Sequence, residues 1–159
     1  MQKSGENRSP LEIKQLIYAY CAYQERSHQE VRRKLYDLGL YRQDVDETIA
    51  LLITEGYLNE ERFAKAFAGG KFRIKSWGRI KITHELEARG LTKKCIQSGI
   101  LEISENEYVD ALSKLLRKKS SLLNENDAFK KRDKLARFAI SKGYESELVW
   151  KIVNEIVKK

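Results

Sequence analysis

The stretch Leu86-Glu87-Ala88-Arg89-Gly90-Leu91 has the pattern Leu-x-x-x-Gly-Leu, which also occurs at Leu35–Leu40. A glycine directly after a helical apolar face is typical of the left-handed position that ends a helix. Gly90 follows Gly39 by 51 residues, and Gly143 follows Gly90 by 53. This spacing predicts an internal repeat of about 50 residues.

Apolar residues recur at helical spacing along the whole chain, in nine short segments. The first segment shows the i, i+3, i+4, i+7 order of a buried face: Ile13, Leu16, Ile17 and Tyr20. The single proline is Pro10, and since proline costs about 3 kcal/mol inside a helix, the rest of the chain can be helical nearly everywhere. We therefore predict an all-α fold of three tandem three-helix repeats, helix-turn-helix-like, forming an elongated, curved array.

The repeat divides the chain into a tail and three units of three helices each. The predicted boundaries are 1–10 for the tail and 11–58, 59–104 and 105–159 for the units. A unit of this size buries little core alone, so we expect neighbouring units to pack together. One irregular nine-helix domain, with its glycines spaced by chance, is the alternative.

Several helix starts carry capping chemistry. Serine followed three residues later by glutamate predicts capping boxes at Ser9–Glu12, Ser27–Glu30 and Ser104–Glu107. The helix that Asn59 begins is interrupted by Gly69-Gly70, at a cost of about 1 kcal/mol per glycine relative to alanine. We expect that helix to kink or fray there and to leave residues 71–81 mobile.

Positive charge is concentrated after the first unit. The net charge of +8 divides into −1 for residues 1–58, +5 for 59–103 and +4 for 104–159. The segment Lys71–Lys81 contains five basic residues, two aromatic residues and no acidic one. Cations at this density displace counterions from a phosphate backbone, and aromatic faces stack on unpaired bases.

The basic side chains of the second and third units are therefore the candidate binding residues for an anionic polymer such as DNA. They fall in three clusters: Lys71, Arg73, Lys75, Arg79 and Lys81; Arg117, Lys118 and Lys119; and Lys130, Lys131 and Arg132. The alternative is that these residues only complement helix dipoles or solvate a helix face. Trp77, next to Gly78 at a helix entrance, fits a packing role better than base stacking.

Other function classes find no support in the sequence. The longest apolar stretch, Leu16–Tyr23, has eight residues, against roughly 20 in a membrane-spanning helix. A phosphate-binding loop of the form Gly-x-x-x-x-Gly-Lys-Ser/Thr is absent. The possible metal ligands lack the close pairs of a zinc site: Cys21, His28, His84 and Cys95. We expect a cytoplasmic, non-enzymatic protein without a membrane segment, metal or cofactor.

The segment Glu55–Ala64 reads Glu-Gly-Tyr-Leu-Asn-Glu-Glu-Arg-Phe-Ala and resembles the signature Gly-Tyr-Leu-Asp-Asp-x-Arg-Phe-Ala of the RecX family of recombinase regulators. The resemblance extends backwards to Arg26–Gly39 and forwards to Trp77–Gly90. The chain departs from the signature at Asn59 and Glu60, where the family often has Asp-Asp.

The resemblance implies a regulator of the RecA recombinase that binds the RecA–DNA filament, in its groove or at its ends. It further implies restraint of RecA ATPase and strand exchange in recombination, DNA repair and the SOS response, and weak, sequence-nonspecific binding of single- and double-stranded DNA. We expect a monomer. The family supplies no catalytic residues. Two alternatives stay open: a helix-turn-helix transcription factor, and a scaffold whose charge only confers solubility.

Overall fold

The structure is a computed structural model that describes residues 7–158, so residues 1–6 of the predicted tail lie outside the described residues. Within that range the chain forms nine α-helices and no β-strand. Their bounds are α1 Pro10–Tyr23, α2 His28–Leu38, α3 Arg42–Thr54, α4 Glu60–Lys75, α5 Arg79–Ala88, α6 Lys93–Ile100, α7 Glu105–Leu122, α8 Ala128–Ser141 and α9 Ser146–Ile156. The all-α prediction is confirmed. Across the described range, no helix combines the length and apolar character needed to cross a membrane.

Two of the three predicted capping boxes are confirmed. The side chains of Ser9 and Ser27 each accept a backbone N–H three residues on, and the paired glutamates bond back. Ser104 likewise accepts the Glu107 N–H, but the Glu107 carboxylate binds Arg73 instead of returning to the cap. The third box is therefore wrong, because a partner from a distant helix competes for the glutamate.

The glycines that define the repeat end their helices as predicted. Gly39, Gly90 and Gly143 have φ angles of 106°, 82° and 102°. In each case the following residue donates its N–H back to the helix, as Leu40 does to the Leu35 carbonyl at 3.1 Å. This closure satisfies a carbonyl that the helix end would otherwise leave without a partner.

The expected break at Gly69-Gly70 is wrong, because α4 continues through both glycines to Lys75. Gly69 is buried, and a Cβ there would lie 2.7 Å from Nη1 of Arg73, so the glycine makes room for that guanidinium. Apolar burial on the same helix, at Phe63 and Phe72 among others, outweighs the propensity cost. Residues 71–81 therefore form the end of α4, a short turn and the start of α5.

The buried apolar side chains form two clusters. The first unit, α1–α3 with the residue Leu58, has its own core, in which Ile17, Leu35 and Leu52 are fully buried. A second cluster runs from Phe63 to Val153 and is common to α4–α6 and α7–α9. The expected packing between neighbouring units thus holds for the second and third units, while the core of the first unit is separate.

Backbone hydrogen bonds join the second unit to the third at the start of α5. The Gly78 N–H donates to the Lys142 carbonyl at 2.8 Å, and the Ile80 N–H donates to the Gly143 carbonyl at 3.0 Å. The turn before α5 is therefore attached directly to the turn between α8 and α9. Together with the shared core, these bonds make α4–α9 one packed body.

Candidate nucleic-acid interface

Two of the candidate site residues, Arg73 and Arg79, form ion pairs with carboxylates of the same chain. Arg73 donates from Nε and Nη2 to the two carboxylate oxygens of Glu107, at 2.8 and 3.1 Å. Arg79 donates from Nε to Glu145 at 2.9 Å and from Nη1 to Glu105 at 3.0 Å. Both arginines thus link the second unit to the third, and carboxylates of the protein itself neutralise their charge.

The surroundings of Arg79 show that it is a packing residue. Its guanidinium carbon lies 3.8 Å from the ring centroid of Tyr108, which is fully buried. The Tyr108 hydroxyl accepts the Arg79 backbone N–H at 3.0 Å and donates to Glu145 at 2.6 Å. Burial, together with this bond to Glu145, raises the pKa of Tyr108 well above its usual range. Arg79 therefore closes a hydrogen-bonded network between the units.

The lysines of the same segment have a different environment. The Nζ atoms of Lys71 and Lys81 lie 5.0 and 4.6 Å from the ring centroid of Trp77, within cation–π range. Trp77 is half-buried, packs against the shared core and meets Phe67 edge-on at 6.2 Å. This supports the packing role predicted for Trp77, whose ring orders two lysines at the surface.

Lys142 joins this group from the third unit. Its Nζ donates to the Lys75 carbonyl at 3.0 Å, at the end of α4. The neighbouring Gly143 touches Lys81, because a Cβ on that glycine would lie 2.5 Å from the Lys81 Cβ. The turn directly after α8 therefore meets the lysines of the second unit.

Lys119, which belongs to α7, extends the group along the surface of α8. Its Nζ lies 4.8 Å from the ring centroid of Phe138, which precedes Lys142 by four residues and so shares a helix face with it. Successive contacts thus connect lysines from α4, α5, α7 and the end of α8. We name these residues the lysine surface: Lys71, Lys75, Lys81, Lys119 and Lys142.

The lysine surface keeps its positive charge available to an external anion. None of its members forms an ion pair with a carboxylate within residues 7–158. Other lysines of the same units do: Lys65 with Glu61, and Lys114 with Asp110. Other basic residues of these units, such as Lys93 and Lys118, also have no carboxylate partner within residues 7–158. The lysine surface is therefore the part of the uncompensated charge that lies where the second and third units meet.

The remaining candidate residues lie apart from the lysine surface or at its margin. Arg117 and Lys118 are exposed on α7, beside Lys119. Lys130 and Lys131 occupy the first turn of α8, and Arg132 donates to the Val157 carbonyl at 3.2 Å. With a rise of about 1.5 Å per residue, Lys130 lies about 12 Å along the helix from Phe138. The structure does not bring the third cluster into the lysine surface.

Lys142 stands apart from the runs of basic residues, so the sequence pattern does not mark it as a candidate. Its only local signal is its place directly before Gly143, the third of the repeat glycines. A lysine at that position is commonly assigned to dipole complementation. Within the described range, no three or more His, Cys, Asp or Glu side chains come together in a metal-binding arrangement. Cys21 is buried and Cys95 half-buried.

Comparison with protein families and curated proteins adds independent information. The family model described as "RecX, second three-helix domain" matches residues 59–100, and the one described as "RecX, third three-helix domain" matches residues 105–153. A protein of Clostridium perfringens named Regulatory protein RecX is 30% identical over 133 residues, covering 82% of this chain and 62% of that protein. A protein of the same name from Clostridium tetani is 30% identical over 134 residues, or 83% and 61%.

The chain thus spans about three fifths of the length of the curated relatives that it matches, 62% in the C. perfringens protein. Solved structures show the same fold. The crystal structure of RecX from Lactobacillus salivarius aligns with a TM-score of 0.82 at 19% identity, over 91% of this chain and 94% of that one. A second crystal structure, of a regulatory protein RecX, aligns with a TM-score of 0.75 at 17% identity, over 92% and 73%.

Proposed function

This chain belongs to the RecX family of regulatory proteins, and from that premise we propose that it is a non-enzymatic regulator of the RecA recombinase. It binds the RecA–DNA filament, in the groove or at the ends, and restrains ATP hydrolysis and strand exchange in recombination and repair. The observation that carries the proposal is the lysine surface, which lies on the two units that the family models match.

The chemistry of the lysine surface fits the DNA component of such a filament. Ammonium groups without carboxylate partners neutralise phosphates and release the counterions that are condensed on DNA. This gives binding that depends on salt and not on base sequence. Lysine acts as a point charge and lacks the planar fork with which arginine reads guanine. We therefore propose weak, nonspecific binding of single- and double-stranded DNA.

The proposal also covers location and assembly. A filament of RecA on DNA forms in the bacterial cytoplasm, so the proposed partner places this protein there. We propose that it acts as a monomer, with the joined second and third units presenting one lysine surface. The exposed acidic residues of α3, such as Asp44 and Glu47, suit a first unit that stays off the phosphates.

The test is ATP turnover by the cognate RecA on single-stranded DNA, with this protein present at sub-stoichiometric ratios. We expect the unsubstituted chain to slow turnover. The triple variant Lys71→Glu, Lys75→Glu, Lys81→Glu should bind DNA much more weakly, and the salt slope of the remaining binding should be smaller by about 3. A matched variant reverses three exposed basic residues of the first unit, Lys14, Arg33 and Arg42, for the same change in charge.

The two variants separate the possible outcomes. If both lose DNA binding equally, net charge and not the lysine surface is responsible. If the unsubstituted chain leaves RecA turnover unchanged at every ratio, regulation of RecA is wrong. Strong preference for selected over random DNA would favour the helix-turn-helix transcription factor instead, since base readout produces such preference.

A further inference from the structure

The signature segment Glu55–Ala64 connects the two cores. Leu58 is buried in the core of the first unit, while Phe63 and Ala64 are buried in the core that the second and third units share. Tyr57 packs edge-on against Tyr18 of α1, with ring centroids 4.6 Å apart. Within residues 7–158, no buried apolar side chain belongs to both cores. The contacts made by the residues between Leu58 and Phe63 therefore set the angle of the first unit.

Glu60 makes the first of these contacts. Its Oε2 accepts the backbone N–H of His28 at 2.8 Å, and its side chain is only 12% exposed. His28 is the first residue of α2, where a backbone N–H has no partner within the helix. The first residue of α4 thus caps the start of α2 with a carboxylate, which also complements the positive end of the α2 dipole.

Arg62 makes the second contact. Its Nε donates to Glu25 in the α1–α2 loop at 2.9 Å, and its Nη2 donates to the Gly56 carbonyl at 2.9 Å. The Arg62 and Glu25 side chains are 44% and 34% exposed, so solvent reaches their ion pair. Such a pair is weakened by dissolved salt, whereas a shared apolar core is not.

We propose that Glu60 and Arg62 form an electrostatic joint that positions the first unit against the rigid body of α4–α9. Removal of the two contacts, or screening of the exposed Arg62–Glu25 pair by salt, frees the first unit to change its angle, while the second and third units stay fixed through their common core. The joint acts within the chain alone and does not depend on RecA or DNA. Its test therefore fails or succeeds separately from that of the proposed function.

Spin-label distances in the full chain measure this motion. In a Cys21→Ala, Cys95→Ser background, labels at Tyr41→Cys and Leu122→Cys report the first unit against the third, since these positions are 82% and 72% exposed. Labels at Leu101→Cys and Leu122→Cys report the second unit against the third. In Glu60→Ala and Arg62→Ala we expect the distribution of distances between positions 41 and 122, the first distribution, to broaden and shift. The distribution of distances between positions 101 and 122 should stay narrow.

Matched variants are Glu61→Ala and Lys65→Ala, which remove the neighbouring pair that is internal to α4. Neither should change the first distribution. In the unsubstituted chain, raising the ionic strength from about 0.1 M to 1 M shortens the screening length from about 10 to 3 Å, and the first distribution should broaden. This salt series keeps the test valid if a joint variant unfolds.

Hydrogen exchange gives a second, residue-level reading. The His28 amide should lose its protection in Glu60→Ala, while the Glu30 amide, capped by Ser27 within the first unit, should keep it. A first-unit distribution that stays as narrow as the control in both variants and at high salt would overturn the joint. Equal loss of protection at His28 and Glu30 would also contradict it, since that pattern indicates unfolding of α2 and not opening of the joint.

Discussion

Gly78 and Gly143 lie in direct backbone contact across the boundary between the second and third units. A Cβ on Gly78 would lie 2.3 Å from the Gly143 carbonyl carbon and 2.5 Å from the Tyr144 nitrogen. The φ of Gly78 is −84°, so the restriction is steric and not conformational. The backbone cannot withdraw without breaking the two hydrogen bonds between the turns. Glycine at this position is therefore required by the close approach of two chain segments.

We expect Gly78→Ala to destabilise the protein by about 1–3 kcal/mol, the usual cost of an added methyl group that has no space. The physical reason is that the methyl group meets backbone atoms, which cannot rotate away as a side chain does. Urea unfolding followed by circular dichroism measures the effect as a lower transition midpoint. Unchanged stability would show that the two turns separate at little cost.

Gly70→Ala is the matched substitution and should act in the opposite direction. Gly70 lies inside α4, and a Cβ there meets nothing within 4 Å. Alanine in a helix interior is better than glycine by about 0.5–1 kcal/mol, because the unfolded chain loses less conformational entropy on folding. The same urea experiment should show a higher midpoint. A midpoint as low as that of Gly78→Ala would contradict the continuous helix through Gly69-Gly70.

Tyr108→Phe should destabilise the protein by about 1–3 kcal/mol, since it leaves the half-buried Arg79 N–H without its acceptor. The Glu145 carboxylate also loses the hydroxyl that donates to it. Thermal or urea unfolding measures the loss. If it is absent, the network between α5, α7 and α9 contributes nothing measurable to stability.

Tyr144→Phe provides the comparison within the same core. The two rings are 5.1 Å apart and both side chains are buried, but the Tyr144 hydroxyl has no hydrogen-bond partner within the described range. Burial, together with the nearby negative charge of Glu145, raises the pKa of Tyr144 to about 12. Because removal of an unpaired buried hydroxyl relieves a desolvation cost, we expect unchanged or increased stability in the same unfolding experiment. A loss equal to that of Tyr108→Phe would show that the hydroxyl is hydrogen-bonded after all.

The helices and their ends could be predicted because their signals are local. The serine caps at Ser9 and Ser27 and the glycines that end α2, α5 and α8 act within a few residues of themselves. The break predicted at Gly69-Gly70 is absent because packing between distant parts of the chain, and not a local signal, decides the course of α4. A propensity cost of about 1 kcal/mol per glycine is smaller than the burial that tertiary packing supplies.

The surroundings of the candidate site could not be predicted, because a run of cations does not show where the carboxylates lie. Glu107 is 34 residues from Arg73, and Glu145 is 66 from Arg79. These distant carboxylates pair with two arginines of the predicted interface, which stays a prediction. Lys142 meets Lys75 through a contact that spans 67 residues of the chain. Only the packing of the third unit against the second brings these residues together.

The Arg73–Glu107 pair predicts how stability depends on pH. The hydrogen bonds from Arg73 hold the pKa of the Glu107 carboxyl below its ordinary value of 4.5. A folded-state pKa below the unfolded one means that the pair stabilises the protein above pH 4.5 and loses this effect as pH falls through the folded pKa. We therefore expect Arg73→Gln to be less stable than the unsubstituted chain at neutral pH.

This difference in stability should shrink as the pH falls through the lowered folded-state pKa of Glu107, because the carboxyl then becomes protonated in the folded unsubstituted chain as well. Urea midpoints at a series of pH values measure it. Lys75→Gln is the control, since Lys75 lies on the same helix and forms no ion pair with a carboxylate among residues 7–158. Its stability difference should not follow the titration of Glu107. A difference for Arg73→Gln that persists at acid pH would mean that Arg73 stabilises the boundary by packing alone, and that its charge is not held by Glu107.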